Sequence, residues 1–476
     1  MPCSVAGNCA AAREQPAPIA ASFHLEVPLP AESSQNASSH HYRVRFWNHR
    51  YLHVGIAQLV PPNVLRVSAS ILDAGRYAML VTRFNKVCVS CSRPPSFVHA
   101  ANITVDGPLA PLPSLAELPS CVGFVGSNGR WVRRSSLCAT EDNRADAACS
   151  FAAVDSSDDA WLWLPFTCAY RLPTASNKHS YTRPRRNRDL TLFIFGDSTS
   201  RFLWGPFVSL FEDDPAQQFH QRGYGTLESS RLGVWSNESD WQWPAANATH
   251  RVNQRCQWET NYYLWRRGGL SIGYGHPLWT CHNRVQCVMA KRCHLSPEQS
   301  RARYEALVRS VRIDYAVSMT ADTAAETGCS PRTRENAQLQ SVAALRAAQS
   351  GRVVVDRRSL IGFAPDNNGR LHCVNAAEAA RTHAAFGTAP EPLFNGSIDL
   401  FTLSEALYHF TAADAELARQ QGLEQPPAFP ADGIHAAETV NKVLAAMLAA
   451  HVFGTVFPAS SPASSEMGRR RGGSGG

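Results

Sequence analysis

The sequence has no run of about 18 consecutive apolar residues, so it predicts no membrane-spanning helix. Its start, MPCSVAGNCAAAREQPAPIAAS, has neither a basic head nor an uninterrupted apolar core, so no signal peptide is visible. It also contains no phosphate-cradling or dinucleotide-binding glycine loop. The chain therefore predicts no bound nucleotide cofactor, and no metal is required.

A strong excess of one charge is also missing. The net charge is +7 over 476 residues, and the basic residues are scattered apart from RPRRNR at 183–188 and GRRRGG in the tail. No basic helix or alternation of basic and aromatic residues accompanies these runs. We therefore expect no nucleic-acid partner.

Cysteine, by contrast, is abundant and dispersed, with 14 residues. An even set of this kind favours disulfides in an oxidising compartment. The alternative is a zinc site built from CVSC (Cys88 and Cys91) and CHNRVQCVMAKRCH (281–294), whose spacing matches no four-ligand zinc pattern.

Sequons support the disulfide interpretation. The chain carries five Asn-x-Ser/Thr sequences, at Asn36, Asn102, Asn237, Asn247 and Asn395. Together with the cysteines they indicate the secretory route, in the Golgi lumen or outside the cell. Because no signal peptide is visible, either a first segment is missing from this chain or the lumenal interpretation is wrong, and we favour the first.

Short alternating segments dominate the first hundred residues. Residues 1–20 are rich in Ala and Pro and are expected to be disordered. Over 21–105, segments such as YRVRFW and LRVSAS alternate as half-buried antiparallel strands do. In DAGRYAMLV, Asp73 and Gly75 suit a turn, and the Tyr77 hydroxyl can reach back to the turn backbone, as in many β-sandwiches. We predict an immunoglobulin-like sandwich here, although Tyr77 also suits a plain strand position.

Proline and cysteine mark the next boundaries. Residues 106–120 form a proline-spaced linker, and a segment rich in Cys and Trp follows from Cys121 to Cys168. This segment is expected to be held by disulfides and not by a core of its own. We assign 121–457 to one catalytic domain and 458–476 to a disordered tail.

The hydrophobic period changes after residue 190. TLFIFGD, SIGYGH, IDYAVSMT and RVVVD are typical of buried strands. Helices are predicted from SPEQSRARYEALVRSVR, where Ser296 caps and Pro297 opens the helix, from NAQLQSVAALRAAQSG, and from AAETVNKVLAAMLAAHVF. Alternation of strands and helices predicts an α/β fold, with a parallel sheet flanked by helices.

The first of these strands ends in Gly196, Asp197 and Ser198. Ligands of parallel sheets bind at the carboxyl ends of the strands, and a helix that starts after Ser198 would present its amide groups there. A plain strand-to-helix turn with a capping residue is the alternative. A serine nucleophile needs a base, and FPADGIH near the C-terminus offers Asp432 and His435, three residues apart before the last helix. The alternative is that Asp432 caps a helix and that His435 is a surface histidine.

GDSTSR followed by aromatic residues, together with DGIH, resembles the SGNH/GDSL hydrolase superfamily. More narrowly, it resembles the PC-esterase branch, which includes the trichome birefringence-like O-acetyltransferases and the neurexophilin-and-PC-esterase proteins. The segment GRWVRR…WLWLPFTC also resembles their Trp- and Cys-containing segment. The resemblance covers about residues 120–455 well and the N-terminal part loosely.

That resemblance implies an acyl-transfer site. Ser198 would be the nucleophile, His435 the base and Asp432 its partner. Arg201 would help to hold the oxyanion, or would pair with Asp197. Related hydrolases carry a Gly-x-Asn-Asp block that donates to the oxyanion, and this chain has none. The segment SMTADTA occupies its place, so the further pocket candidates at strand ends are Thr320, Asp322 and, in GYGH, Gly275.

Six of the eleven tryptophans lie between Trp235 and Trp279, which suits either a glycan-binding groove or core packing. The first hypothesis is therefore transfer of an acyl group, in particular acetyl, to a glycan or polysaccharide hydroxyl. The second is an esterase with water as acceptor, and the third is a secreted glycan-binding module without activity. Acetyl-CoA is one candidate acyl donor, and a membrane-bound donor system is a candidate partner.

Overall fold

The computed structural model describes about half of the chain as a set of ordered segments. They are residues 3–4, 21–28, 40–60, 64–71, 73–85, 96–106, 112–121, 129–144, 146, 149, 161–172, 181–182, 189–196, 198–212, 232–235, 241, 243, 262–275, 296–319, 331–358, 393–398, 412–424 and 438–457.

Nine strands form one sheet in the first part of the chain. They are β1 (Cys3–Ser4), β2 (Ala21–Pro28), β3 (His40–Trp47), β4 (Tyr51–Val60), β5 (Val64–Ile71), β6 (Gly75–Asn85), β7 (Ser96–Val105), β8 (Gly129–Arg133) and β9 (Trp161–Pro165). The order is β1-β7-β6-β3-β4-β5-β2, with β8 paired to β4 and β9. The alternating segments thus form the predicted strands. Within 1–20, where we expected disorder, the described pair Cys3–Ser4 is a strand parallel to β7.

Strand β4 joins three neighbours. Its first half pairs with β3, its second half pairs with β5, and Tyr51 and Leu52 pair with Val132 and Trp131 of β8. Strand β8 lies beyond the proline-spaced segment, past the boundary expected at residue 121. The sheet therefore includes residues from both sides of that boundary.

Two disulfides and two polar side chains hold the segment from 112 to 172. Cys121 bonds to Cys168 and Cys138 to Cys149, around the short helices α1 (Arg134–Leu137) and α2 (Glu141–Arg144). The Arg171 guanidinium donates to the carbonyls of Leu115, Ala116 and Leu118. The buried Asn143 side chain bonds to Leu115, Pro113 and Leu137. These contacts fix the end of the segment that the prolines predict as a linker.

A second sheet of seven strands follows, with helices between its strands. The strands are β10 (Leu190–Phe195), β11 (Leu232–Trp235), β12 (Tyr262–Arg267), β13 (Leu270–Gly275), β14 (Tyr315–Met319), β15 (Val354–Arg358) and β16 (Gly396–Ile398). The helices are α3 (Ser198–Ser209), α4 (Pro297–Ser310), α5 (Pro331–Ala348), α6 (Ala412–Gln420) and α7 (Glu438–His451), which continues into a π-helical turn, Val452–Val456. The order is β11-β12-β13-β10-β14-β15-β16.

This sheet is mostly parallel and covered on both faces. Strands β13, β10, β14, β15 and β16 run parallel, and β11 and β12 are antiparallel additions. Leu192 and Ile194 of β10 join the buried cluster that contains α3 and α7. Phe193 and Phe195, which point to the other face, join the cluster that contains α4 and α5. The expected α/β class is thereby confirmed at the level of a mostly parallel sheet with helices.

One buried apolar cluster connects the two sheets. It runs from Phe46 and Tyr77 of the first sheet through Trp131 of β8 to Trp204 of α3 and Leu444 of α7. The Trp47 indole also donates to the Glu424 carbonyl at 3.0 Å. The first sheet therefore packs on elements that lie far along the chain.

Candidate active site

The parallel strands have the order 2-1-3-4-5 when they are counted along the chain as β10, β13, β14, β15 and β16. In this topology successive connections leave the first strand in opposite directions, which opens a crevice at the carboxyl ends of the first and third strands. Those strands here are β10 and β14, whose residues Phe195 and Ser318 are direct neighbours. The crevice is the place where a ligand is expected.

Ser198 lies at this crevice, as the first residue of α3, just after β10. Gly196 connects the two elements with φ of 150°, which side-chain-bearing residues rarely adopt. Its amide also donates to Gly275 O at 3.1 Å, so the turn is bonded to β13. The sharp turn that places Ser198 therefore depends on this glycine.

Helices α3 and α7 pack against each other, and their C-terminal ends meet. The rings of Phe211 and Phe453, just beyond their C-terminal ends, lie 5.5 Å apart. Each helix extends about 20 Å back from this pair to its first residue. At the end of α7, His451 Nε2 lies 2.9 Å from Asp356 Oδ2, which also accepts from Tyr315, the first residue of β14. Because the two helices pack together and their C-terminal ends meet, we infer that they run in the same direction, and that Glu438, like Ser198, lies toward the carboxyl edge of the sheet.

Of the predicted catalytic residues, only the Ser198 backbone falls within the described segments. Asp432, His435, Thr320 and Asp322 lie outside the described residues, as does Asp197. His435 precedes the first residue of α7 by three positions, a stretch that spans at most about 10 Å. Arg201 lies one turn into α3, with its guanidinium 5.0 Å from the Phe202 ring centroid.

Gly275 forms the carboxyl end of β13, where the Tyr262 ring covers it. A Cβ atom at this position would lie 2.0 Å from that ring, so only glycine fits. The Trp235 ring packs against Tyr262 at 5.7 Å, and the Arg303 guanidinium lies 5.9 Å from the Trp235 ring centroid. Burial raises the pKa of Tyr262 and lowers that of Arg303. The sequence motifs do not identify two residues of this group, Tyr262 and Arg303.

Gln338 is a second residue that the motifs miss. Its Nε2 lies 3.3 Å from Ser318 O and 3.2 Å from Ser318 Oγ, at the carboxyl end of β14. Its Oε1 is buried without a hydrogen-bond partner among the described residues. Gln338 lies on the same face of α5 as Ser341, Val342 and Leu345, and this face is buried. A glutamine at such a core-facing position is the sequence signal that could have identified this residue.

The tryptophans divide between the core and the surface. Trp235 and Trp265 are buried, which agrees with core packing, and Trp241 is half-buried. Trp243 is 37% exposed, packs against Gly233 of β11 and has the Arg266 guanidinium 4.4 Å from its ring centroid. Trp258 and Trp279 lie outside the described residues. Only Trp243 thus offers an accessible indole in the described part of this group.

The described residues bear on metal binding and on the compartment of the protein. Within the described segments, no three His, Cys, Asp or Glu side chains gather as a metal site would require. Cys88, Cys91 and residues 281–294 lie outside them. The two disulfides are compatible with a secreted or lumenal protein. None of the described helices is long and apolar enough to cross a membrane.

Comparisons with known proteins give little similarity. No family model matches the chain, and a search of curated proteins finds no significant match. Among solved structures, a proposed glycoside hydrolase from Bacteroides vulgatus aligns with 79% of this chain and 54% of its own length, at 9% identity and a TM-score of 0.16. The chain thus spans about half of that protein. A similarity this weak says nothing about the fold or the reaction of the present chain.

Proposed function

We propose that the chain is a serine-dependent acyltransferase that moves an acetyl group onto a glycan hydroxyl. The observation that supports this most is the packing of α3 against α7. If the two helices run in the same direction, Ser198 lies at the same edge of the sheet as Glu438, which follows His435 by three positions. Without this pairing, the two motifs would be unrelated short sequences.

In the proposed reaction, His435 removes the Ser198 hydroxyl proton while Oγ attacks the acyl carbonyl of the donor. The donor's leaving group departs with that proton, and an acyl-serine remains. Asp432 orients the His435 ring. In the second half, His435 takes the proton of the sugar hydroxyl while the sugar oxygen attacks the acyl-serine, and the proton then passes to Ser198 Oγ as the bond from Oγ to the acyl carbon breaks.

Two helix N-termini support the oxyanion step, because α3 and α7 both begin at this edge. Each N-terminus carries partial positive charge and unpaired amide groups. These amides, together with Arg201, are the candidates to replace the missing Gly-x-Asn-Asp donor, whose loss would otherwise cost about 3 kcal/mol. Gly275, Thr320 and Asp322 border the pocket in this proposal, and Gln338 positions the end of β14.

The acceptor is proposed to be a glycan because of Trp243. This indole lies on β11, three strand spacings or about 14 Å from β10. Such a distance suits a sugar unit of the acceptor that does not itself react. Trp243→Ala would then raise KM for a long acceptor and leave the rate with a short one unchanged.

The finer fold assignments belong to the same proposal. We infer an SGNH-like domain over 121–457 and an immunoglobulin-like sandwich over 21–105. The Tyr77 hydroxyl donates to Asp73 O at 2.8 Å, as the sequence predicts and as sandwich domains often do. The compartment proposed is the Golgi lumen or the cell exterior, with a membrane-bound donor system as partner.

Labelling with a serine-reactive phosphonate tests the nucleophile. We expect label on Ser198 in the intact chain and none in Ser198→Ala or His435→Gln. Ser209→Ala, at the other end of α3, is the matched control and should be labelled like the wild type. Absence of label on Ser198 would support the alternative of a glycan-binding module without activity.

Acceptor choice separates transferase from esterase. The purified chain is incubated with an acetyl donor such as acetyl-CoA, with and without oligosaccharides, and acetylated sugar and free acetate are both measured. Transfer that exceeds hydrolysis supports the proposal. Acetate release unaffected by sugar would make the chain an esterase instead.

A further inference from the structure

A second chemical feature lies at β16, the last described strand of the seven-stranded sheet and three strand spacings, or about 14 Å, from β10. Asn395, Gly396 and Ser397 form one of the five sequons and include the start of β16. Asn395 and Ser397 are both exposed. Among the described strands, none pairs with the outer side of β16, so the described sheet ends with this strand.

The Asn395 carboxamide is held in one orientation. Its Oδ1 accepts from Val355 N at 2.9 Å and from the Arg346 guanidinium at 2.6 Å. Its own backbone amide donates to Val355 O at 2.7 Å. Arg346 also binds the Leu393 carbonyl at 2.6 Å and so fixes the turn. These contacts use the oxygen of the side chain and leave Nδ2 without a partner in the described part of the chain.

We propose that Asn395 is an N-glycosylation site whose glycan covers the outer side of β16, which no described strand covers. The free atom is Nδ2, the atom that carries the sugar. A glycosylated amide keeps its carbonyl, so the bonds to Val355 and Arg346 survive the modification. An open strand edge invites pairing with another chain, and a hydrated glycan there would block it.

Asn102, the other described sequon, has a different environment. It is half-buried in β7 and lines a cleft of about 460 Å³ that Gly422 and Glu424 close from the other side. The backbone carbonyl of Glu424 also accepts a hydrogen bond from the Trp47 indole. A branched glycan on Asn102 would have to displace this segment, so Asn395 is the preferred site of the two.

The modification is a group transfer from a lipid-linked oligosaccharide pyrophosphate. A bond forms between Asn395 Nδ2 and the first sugar carbon, and the bond from that carbon to the pyrophosphate oxygen breaks. One Nδ2 proton passes to a base of the transferring enzyme, and the lipid pyrophosphate leaves. The Ser397 hydroxyl completes the acceptor sequence. No step depends on the acyl-transfer proposal.

The experiment uses the full chain, secreted from a eukaryotic host behind a cleavable leader. Peptide:N-glycosidase digestion in heavy-oxygen water converts a glycosylated Asn395 into labelled aspartate, which mass spectrometry detects. We expect the label in the wild type and in Ser397→Thr, and its loss in Ser397→Ala, which keeps every bond of Asn395. An unlabelled Asn395 in the wild type overturns the proposal, whether or not other sequons carry glycans.

The covering role has its own measurement. Ser397→Ala should melt like the wild type, because the glycan is not part of the core, but should aggregate several-fold faster in light scattering. Ser397→Thr should aggregate at the wild-type rate. Equal aggregation of all three proteins would overturn this part of the inference.

Discussion

Single buried polar residues fasten the first sheet. Asp73 lies beside Arg130, with Oδ2 2.8 Å from the guanidinium Nε, and 3.7 Å from His53 Nε2. Burial is the main cause that raises the Asp73 pKa, and Arg130 opposes it. Burial and the Arg130 charge lower the pKa of His53 to about 3. His53 is therefore neutral in the folded chain, and its contact with Asp73 is not an ion pair at neutral pH.

The pH dependence of stability follows from His53. The unfolded chain protonates this residue below about pH 6.5, and the folded chain does so only near pH 3, so acidification between these values favours unfolding. We expect His53→Gln to make the free energy of unfolding less dependent on pH. Between about pH 6.5 and pH 5, the variant should lose less of this free energy than the wild type, by up to about 1.4 kcal/mol per pH unit.

Urea unfolding at several pH values measures that slope. The matched control is His49→Gln, because His49 is exposed on the turn between β3 and β4. An unchanged slope in His53→Gln would show that other groups cause the acid sensitivity.

Tyr77 gives a second prediction for a single residue. Its hydroxyl donates to Asp73 O in a buried site, and burial raises its pKa so that the proton is retained. Tyr77→Phe leaves that carbonyl without its donor and should lower the free energy of unfolding by about 1.5 kcal/mol. Equilibrium urea unfolding checks this. A midpoint equal to that of the wild type would mean that water replaces the hydroxyl.

Among the elements, α7 has the most specific attachment to the sheet. Asp356 of β15 is buried and accepts from both Tyr315 and His451. Asp356→Ala removes the acceptor of both groups and should cost about 3 kcal/mol. Asp356→Asn should cost less, because its carbonyl can still accept one bond.

The control for this prediction is Glu416→Ala. Glu416 pairs with Arg419 on the exposed face of α6, where ion pairs contribute little. Thermal unfolding of the three variants ranks them. A loss in Asp356→Ala no larger than in Glu416→Ala would show that packing alone holds α7.

Local patterns predict several elements of the second sheet well. Helix α4 begins as expected: Ser296 accepts from the Gln299 amide at 3.1 Å, the Gln299 side chain accepts from Ser296 N at 2.6 Å, and Pro297 opens the helix. The Gly-Gly turn between β12 and β13, with Gly268 at φ of 56°, is a hairpin signal that lies outside the predicted elements.

Other features have no local signal at all. The pairing of β8 with β4 joins residues about 80 positions apart, and the sequence of neither strand predicts which strand it pairs with. Gln338 reaches Ser318 only because α5 folds back over β14. The candidate site was predictable at Ser198, where a strand, a glycine and a helix start are contiguous, and not where it depends on packing.

At the scale of the molecule, covalent links contribute to stability. Cys121–Cys168 closes a separation of 47 residues, and Cys138–Cys149 closes one of 11. Loop-closure entropy predicts losses of about 4 and about 3 kcal/mol when each pair is replaced by serines. Urea unfolding without reductant tests the order, and a larger loss from the shorter loop would contradict it.

The shared strand β4 has a consequence for synthesis. The ribosome completes β4 about 70 residues before β8, an interval of roughly 4 to 14 s at ordinary elongation rates. During that interval the backbone of Tyr51 and Leu52 lacks its partner, and Trp47 still awaits a residue that follows it by 377 positions. We therefore expect the nascent chain to expose an unpaired strand edge at Tyr51 and Leu52 until β8 has been made.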